Sequence, residues 1–342
     1  MELRGRPRGT ALPGGEPVRR HVRCRPAAAG NGGSAGARGG GGVNPPAVVP
    51  SGVLALVGGA VARQRRAERR CLERLAAEGY EEVVLPVLEY AEETAGEGYR
   101  FVDRAGRVIA LRTDFTPLAA RVMAPWLGGE RPVRICYAGE VVRPKPARLR
   151  ELPELYQLGF ETYGVRRGGE EACALALALL REVGVAADAC HVTLGTAEMA
   201  GEILASLGAD PADPLLRELL HARDVCGLGE ALGLDGATQR RLEAALLGEP
   251  PAAWAGAFGV AEEAARLARA AAAVTARGAN ASVDAAPALA GPYYRGMVFA
   301  VWGKRTRAVV AAGGEYEVRC AAGTIPAAGA CLLLGVALEE AC

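Results

Sequence analysis

The segment "ELYQLGFETYG" sets Gln157, Gly159 and Glu161 at alternate positions. Successive side chains of an extended strand point to opposite faces, so these three share a face with Tyr163, while Leu158, Phe160 and Thr162 take the other. An amide and a carboxylate flanking a glycine floor, with Asp114 of "LRTDFTP" as a second acid, could hold an ammonium group by charge-assisted hydrogen bonds. A plainer reading is also open, in which Gln157 and Glu161 are the solvated face of a sheet and the pair Tyr293-Tyr294 is core. Spacing alone does not choose between them.

Other chemistries fare worse. "VVLPVLEYAEETAGEG", Val83 to Gly98, has the outline of a phosphoribosyl-pyrophosphate loop, with an apolar strand, acids, then Thr94 and Gly96. Such a loop needs adjacent acids directly after the strand and small residues turning back onto phosphate. Here Tyr90 and Ala91 split Glu89 from Glu92 and Glu93, and Glu97 adds repulsion, so the stretch reads as an acidic loop after an interface strand. Histidines at 21, 191 and 221 are too scattered for a zinc site or an evident base. His191, beside Cys190, reads as a satisfied core residue and His221 as a surface one. Neither a metal nor a cofactor is expected.

The elements that must position these residues follow from patterning. Val53 to Glu78 is helical, with Val61, Ala67, Cys71 and Leu75 near one face and Gly79 as its stop. Glu82 to Leu88 reads as a strand interrupted by Pro86, which an edge or interface strand accepts better than a central one. "RFVDRAGRVIALR" gives two short strands about Gly106, and "DFTPLAARVMAPWL" a short helix closed by Pro125. "VRICYAG" and "ELYQLGFETYGV" are strands joined by the polar loop "RPKPARLRELP"; "GGEEACALALALLREVGV" is a helix and "CHVTLG" a strand. Strands return at "YYRGMVFAVW", "RAVVAAGG" and "YEVRCAAG", before a last apolar helix from about Ala328. Strands with segregated helices predict an α+β fold around an antiparallel sheet. The expected division is a low-complexity tail over 1–46, core over 47–197, a helical insertion over 198–280 and core again over 281–342.

Composition bounds the class. Half of the 342 residues are apolar, enough for a sizeable core, and no apolar run reaches the ~18 residues of a membrane span. Net charge is +1, yet residues 1–46 carry eight arginines against Glu2 and Glu16. That tail is so rich in glycine that disorder is expected. All but Lys145 and Lys304 of the 40 cations are arginine, a skew that weakens any inference to nucleic acid. Nine cysteines without a C-x-x-C pair, several inside apolar patterns such as Cys173 and Cys331, are the habit of buried thiols in a reducing compartment, so the cytoplasm is expected.

The order of a long helix, a strand with an internal Pro86, "LRTDFTPLAARV", "RICYAGEVVR", "YQLGFETYG" and "GPYYRGMVF" resembles the catalytic core of histidyl-tRNA synthetase. It is more similar still to the regulatory subunit of ATP phosphoribosyltransferase, a non-synthetase relative. The likeness covers about residues 50–340. It implies a class II aminoacyl-tRNA synthetase-like antiparallel sheet flanked by helices, with a helical insertion, dimerised through the first helix and strand. It also implies that Asp114, Thr116, Gln157 and Glu161 surround the amino group and chain of bound histidine, with Tyr293 and Tyr294 beside the imidazole.

Departures from the synthetase pattern carry the functional expectation. In synthetases an arginine on the strand matching "CYAGE" grips the nucleotide α-phosphate, and here that position is read as Ala138; a methyl group cannot neutralise a phosphate. Nothing after Arg319 is Arg or Lys, so the second grip in "GACLLLGVALEEAC" is missing too. The chain ends there without an anticodon-reading domain, so tRNA is not expected as a substrate. Against the closer relatives, no arginine lies near Leu289, Arg295 stands where threonine is usual, and Glu315 of "GGEYEV" reverses a charge. The resemblance therefore implies a non-catalytic subunit, a homodimer within a hetero-oligomer with the short-form catalytic ATP phosphoribosyltransferase chain, taking L-histidine as its ligand. The competing expectation is a divergent amino-acid-activating enzyme that uses Arg143, Lys145, Arg148 and Arg150 over a triphosphate.

Overall fold

Helix α1 (Gly59–Ala77) forms because apolar residues recur on one face: Ala67, Cys71 and Leu75 are buried, with the polar Gln64 beside them, while arginines are frequent on the rest. Val61, expected on that face, is exposed. The computed structural model describes residues 53, 55–91, 98–143, 153–287 and 292–342. These fall in one compact unit, Val48–Cys342. The 1–46 tail, Glu92, Glu93, Thr94, Gly96, Glu97, Lys145, Arg148, Arg150 and Leu289 lie outside the described residues.

After α1 come β1 (Glu81–Glu82) and β2 (Leu88–Tyr90), not one strand over Glu82 to Leu88. Pro86 lies in the stretch between them, where its missing N–H breaks no ladder. β2, β4 (Val108–Leu111) and β3 (Arg100–Val102) make a small antiparallel sheet in the order β2-β4-β3. Helix α2 (Phe115–Met123) follows, capped by Asp114, and a 3₁₀ turn containing Pro125 ends it.

The large sheet has eight strands in the order β1-β5-β6-β11-β10-β9-β7-β8. Its strands are β5 (Val133–Val142), β6 (Glu154–Tyr163), β7 (Cys190–Thr196), β8 (Asn280–Val283), β9 (Tyr294–Gly303), β10 (Val309–Cys320) and β11 (Gly323–Leu333). The interior is antiparallel; only the outer pairs β1-β5 and β7-β8 are parallel. "RAVVAAGG" and "YEVRCAAG" form one continuous strand, and the expected helix from Ala328 is still strand as far as Leu333, with α9 confined to Leu334–Glu340.

One face of the sheet meets α1, α3 (Gly169–Val183) and α9. Helix α3 carries Glu170 and Glu171 in its first turn, favourable against the helix dipole, and stops at left-handed Gly184. Its fully buried Leu177, Leu179 and Leu180 each contribute about 1.5–3 kcal/mol of transfer free energy. The other face holds a second core of Ile135, Tyr137, Tyr163 and Tyr316 against Phe115 and Leu118 of α2. Helices α4 (Met199–Ser206), α5 (Pro214–His221), α6 (Val225–Leu232), α7 (Gly236–Leu246) and α8 (Ala261–Ala276) occupy the segment between β7 and β8, and α8 packs on both strands. Among the described residues no helix is long and apolar enough to cross a membrane.

Candidate ligand-binding site

Strands β5 and β6 pair with Ile135 opposite Glu161, Tyr137 opposite Gly159 and Gly139 opposite Gln157. On the other flank of β6, β11 sets Gly329 beside Glu161, Cys331 beside Gly159 and Leu333 beside Gln157. Paired residues share a face. Gln157, Gly159 and Glu161 therefore stand together on the α2 side, while Leu158 and Phe160 enter the core under α1 and α3, as the alternation predicts.

Two glycines create the room. A Cβ at Gly329 would overlap the Glu161 carboxylate, and one at Gly159 would come 2.6 Å from the Tyr137 ring. The Tyr137 ring stacks on Phe115 at 4.4 Å. Its hydroxyl reaches across the sheet to Glu161.

Glu161 is 1% exposed, not a solvated residue. Its Oε1 accepts from Thr116 Oγ1 at 2.7 Å and from the Tyr137 hydroxyl at 2.8 Å, and its Oε2 accepts from the Tyr316 hydroxyl at 2.8 Å. Burial raises its pKa to about 7, the Asp114 charge adds to this, and the three hydroxyls oppose it by favouring the ionised form. Asp114 accepts from Thr116 N at 3.1 Å on Oδ1 and from the Tyr293 hydroxyl at 3.0 Å on Oδ2. Tyr293 and Tyr294 lie 4.5 Å apart as a half-buried wall, and burial pushes both phenols well up. Gln157 is 2% exposed, and its Oε1 has no partner among the described residues.

Five of the six candidate residues thus sit in one linked patch, and Gln157 stands on the same strand face with an unused acceptor. None of the ion pairs found among the described residues involves Asp114 or Glu161. Two acids, a free carbonyl oxygen and a ring of hydroxyls make an environment complementary to a cation that can donate several hydrogen bonds.

Two readings are corrected. Ala138 pairs with Leu158 and packs toward the α1 and α3 core, on the opposite face from Glu161, so its methyl is not a vacated phosphate grip in this pocket. Arg143 is the cation beside the site: its Nε donates to Thr113 O at 3.1 Å, and its charge opposes the burial and the Asp114 charge that push the Cys331 thiol up to about 12. His221 is half-buried rather than a surface residue, and its Nδ1 has no partner among the described residues, whereas His191 meets Ser282 Oγ at 2.9 Å.

Tyr137, Tyr316 and Arg112 escaped the sequence reading. Arg112, 3% exposed, donates to the carbonyls of Glu140, Leu85 and Pro86 and lies 4.0 Å over Phe115. It ties the Pro86 segment to β5 and so fixes the chain that leads into Asp114. The available signal was Tyr137 in the alternating "ICYAGEVV", two residues after buried Ile135.

Residues 56–335 match the family model described as histidyl-tRNA synthetase. An ATP phosphoribosyltransferase regulatory subunit from Paracidovorax citrulli is 35% identical, over 73% of this chain and 70% of its own length. A solved structure described as an ATP phosphoribosyltransferase regulatory subunit/histidyl-tRNA synthetase from Bacillus halodurans superposes with TM-score 0.70 at 24% identity, over 86% of this chain and 83% of that one. An ATP phosphoribosyl transferase (HisG:HisZ) complex from Thermotoga maritima gives 0.60 at 20% identity, over 78% and 95%; these two likenesses speak for the fold. The chain spans 52%, 70% and 56% of the length of three curated regulatory subunits that it matches. With the class II synthetase-like sheet, the family match and the 35% identical relative taken together, this chain belongs to the histidyl-tRNA synthetase family, in its branch of ATP phosphoribosyltransferase regulatory subunits.

Proposed function

We propose that this chain is the cytoplasmic, non-catalytic regulatory subunit of an ATP phosphoribosyltransferase, acting in the first step of histidine biosynthesis with a short catalytic chain, and that its Glu161 pocket senses L-histidine. The observation that carries the ligand reading is the buried Glu161 carboxylate beside Asp114, held by hydroxyls and with no ion pair to either acid among the described residues. The α-ammonium of an amino acid fits that deficit, with Asp114 and the Gln157 Oε1 as further acceptors and the Tyr293-Tyr294 wall against a planar side chain. Feedback requires that histidine bind one state of the assembly better than the other.

The partner reading is supported by the names of its relatives, regulatory subunits of this transferase, and by the similar fold found in the Thermotoga maritima complex. A homodimer within that hetero-oligomer is part of the same proposal. Calorimetry on the purified chain should show histidine binding and no ATP binding; tight ATP binding without histidine binding would overturn the reading. The chain should co-purify with the short catalytic chain of its own genome, be silent alone in phosphoribosyl transfer, and support no histidine-dependent pyrophosphate exchange.

A further inference from the structure

Strands β9 and β10 fall out of register beside the pocket. Gly314 lies opposite Val298 while Tyr316 lies opposite Tyr294, so Arg295, Gly296 and Met297 face a single residue, Glu315. A bulge of this kind leaves backbone amides without ladder partners. Gly296 adopts φ +82°, and a Cβ there would overlap the Glu315 carboxylate.

Two carboxylates from different elements take those amides. Gly296 N donates to both oxygens of Glu198, at 3.2 and 3.0 Å, and Met297 N donates to Glu315 Oε2 at 2.9 Å. Ala197 N donates to Gly296 O at 2.9 Å, anchoring the bulge to the chain that enters α4. The other oxygen of Glu315 accepts from Gly169 N, the first residue of α3, at 3.0 Å. Arg266 of α8, bonded to Glu263 through both Nε and Nη2, approaches Glu315 Oε2 at 3.9 Å. The side chain of Glu315 is only 12% exposed.

The sequence neighbours of this clamp are pocket residues. Tyr293 and Tyr294 immediately precede the bulge, and Tyr316, which follows Glu315, donates to Glu161. Strand side chains alternate, so a slip of one residue in β9 would carry Tyr294 from the pocket face to the other. We propose that Glu315 and Glu198 are positioning residues that clamp the Arg295–Met297 bulge and thereby hold Tyr293 and Tyr294 over the Glu161 pocket. The charge of Glu315 is then required: both of its oxygens accept, and neither a carboxamide nor an arginine can accept twice at these places. The inference rests on the reading of that pocket as a histidine site.

The test compares the full chain with its Glu315→Gln and Glu198→Ala variants by histidine calorimetry and, without ligand, by carboxyl ¹³C titration of Glu161. A carboxamide at 315 sets an NH2 group against one of two backbone donors. The variant should still unfold cooperatively in urea, bind histidine about tenfold more weakly, and titrate Glu161 at least one unit lower as water passes the loosened wall. Glu198→Ala should act the same way and carries the test should Glu315→Gln fail to fold. Unchanged histidine affinity and an unchanged Glu161 titration in a folded variant would refute the clamp. If the parent chain does not bind histidine, the sensing reading fails, and the Glu161 titration still decides the clamp.

Discussion

Glu161 is an acid kept in a place where ionisation is disfavoured, and that makes the pocket responsive to pH. Its pKa, raised from 4.5 to about 7 chiefly by burial, means that the folded chain holds a proton the unfolded chain releases. The associated stability is fully present below about pH 4.5 and is lost as pH rises through about 7, a difference on the order of 3 kcal/mol. Glu161→Gln should flatten this slope, which urea midpoints at pH 5 and pH 8 would reveal; parallel slopes in parent and variant would exclude Glu161 as the cause. An ammonium ligand works in the opposite sense, since it stabilises the ionised carboxylate. Histidine binding is therefore expected to release a proton near neutral pH and to tighten from pH 6 to pH 8, measured by calorimetry in buffers of different ionisation heat. Histidine's own imidazole titrates in the same range, so the contrast with Glu161→Gln isolates the protein's contribution.

At the scale of elements, the pocket is three adjacent strands with glycines where their side chains would collide. Gly159→Ala forces a methyl against the Tyr137 ring and hydroxyl, where contacts of 2.6–2.7 Å leave nothing flexible to yield. The expected result is a stability loss of about 1–3 kcal/mol and weaker histidine binding, because the Tyr137 hydroxyl must leave Glu161. A denaturation midpoint like that of the parent would show that β5 shifts freely. The Gln157 and Glu161 alternation was legible because a period of two is local to one strand, and "DFTPLAARVMAPWL" read as a short helix closed by Pro125 for the same local reason. The convergence of Tyr137 and Tyr316 was not legible, since it depends on β5, β6, β11 and β10 lying side by side. β11 was misread because "AAGACLLLG" has helical propensity, overridden by ladders to both β6 and β10. The glycine pair read as a strand end, Gly313 and Gly314, instead marks close approach: a Cβ on Gly313 would meet Ala330 Cβ at 2.6 Å. The short β8 gave no signal of its own.

At the scale of the whole molecule, the small sheet presents a partly exposed apolar face, with the Arg107 guanidinium over the Tyr90 ring at 5.1 Å. Leu88, Tyr90 and Phe101 are each about half exposed and, with Ile109, share one side by register. A cavity of about 620 Å³ lies beside them, with Leu88, Ile109, Leu118 and Val122 in its lining and the ion pairs Arg121–Glu89 and Arg107–Asp103 at its edge. Apolar surface of this kind is the sort that marks an interaction site, and we propose that it adds to the first helix and strand in forming the homodimer. The face is also tied to the pocket, because β4 ends at Leu111 and the chain passes through Arg112 and Thr113 directly into Asp114. A partner that orders β4 therefore orders the cap of α2, and histidine binding should favour the dimer by the same factor by which the dimer favours histidine. Sedimentation of the parent chain at micromolar concentration is expected to give a dimer, and Phe101→Asp a monomer that still folds but binds histidine several-fold more weakly. A Phe101→Asp chain that stays dimeric would remove this face from the interface, and a monomer with full histidine affinity would sever the link between assembly and pocket.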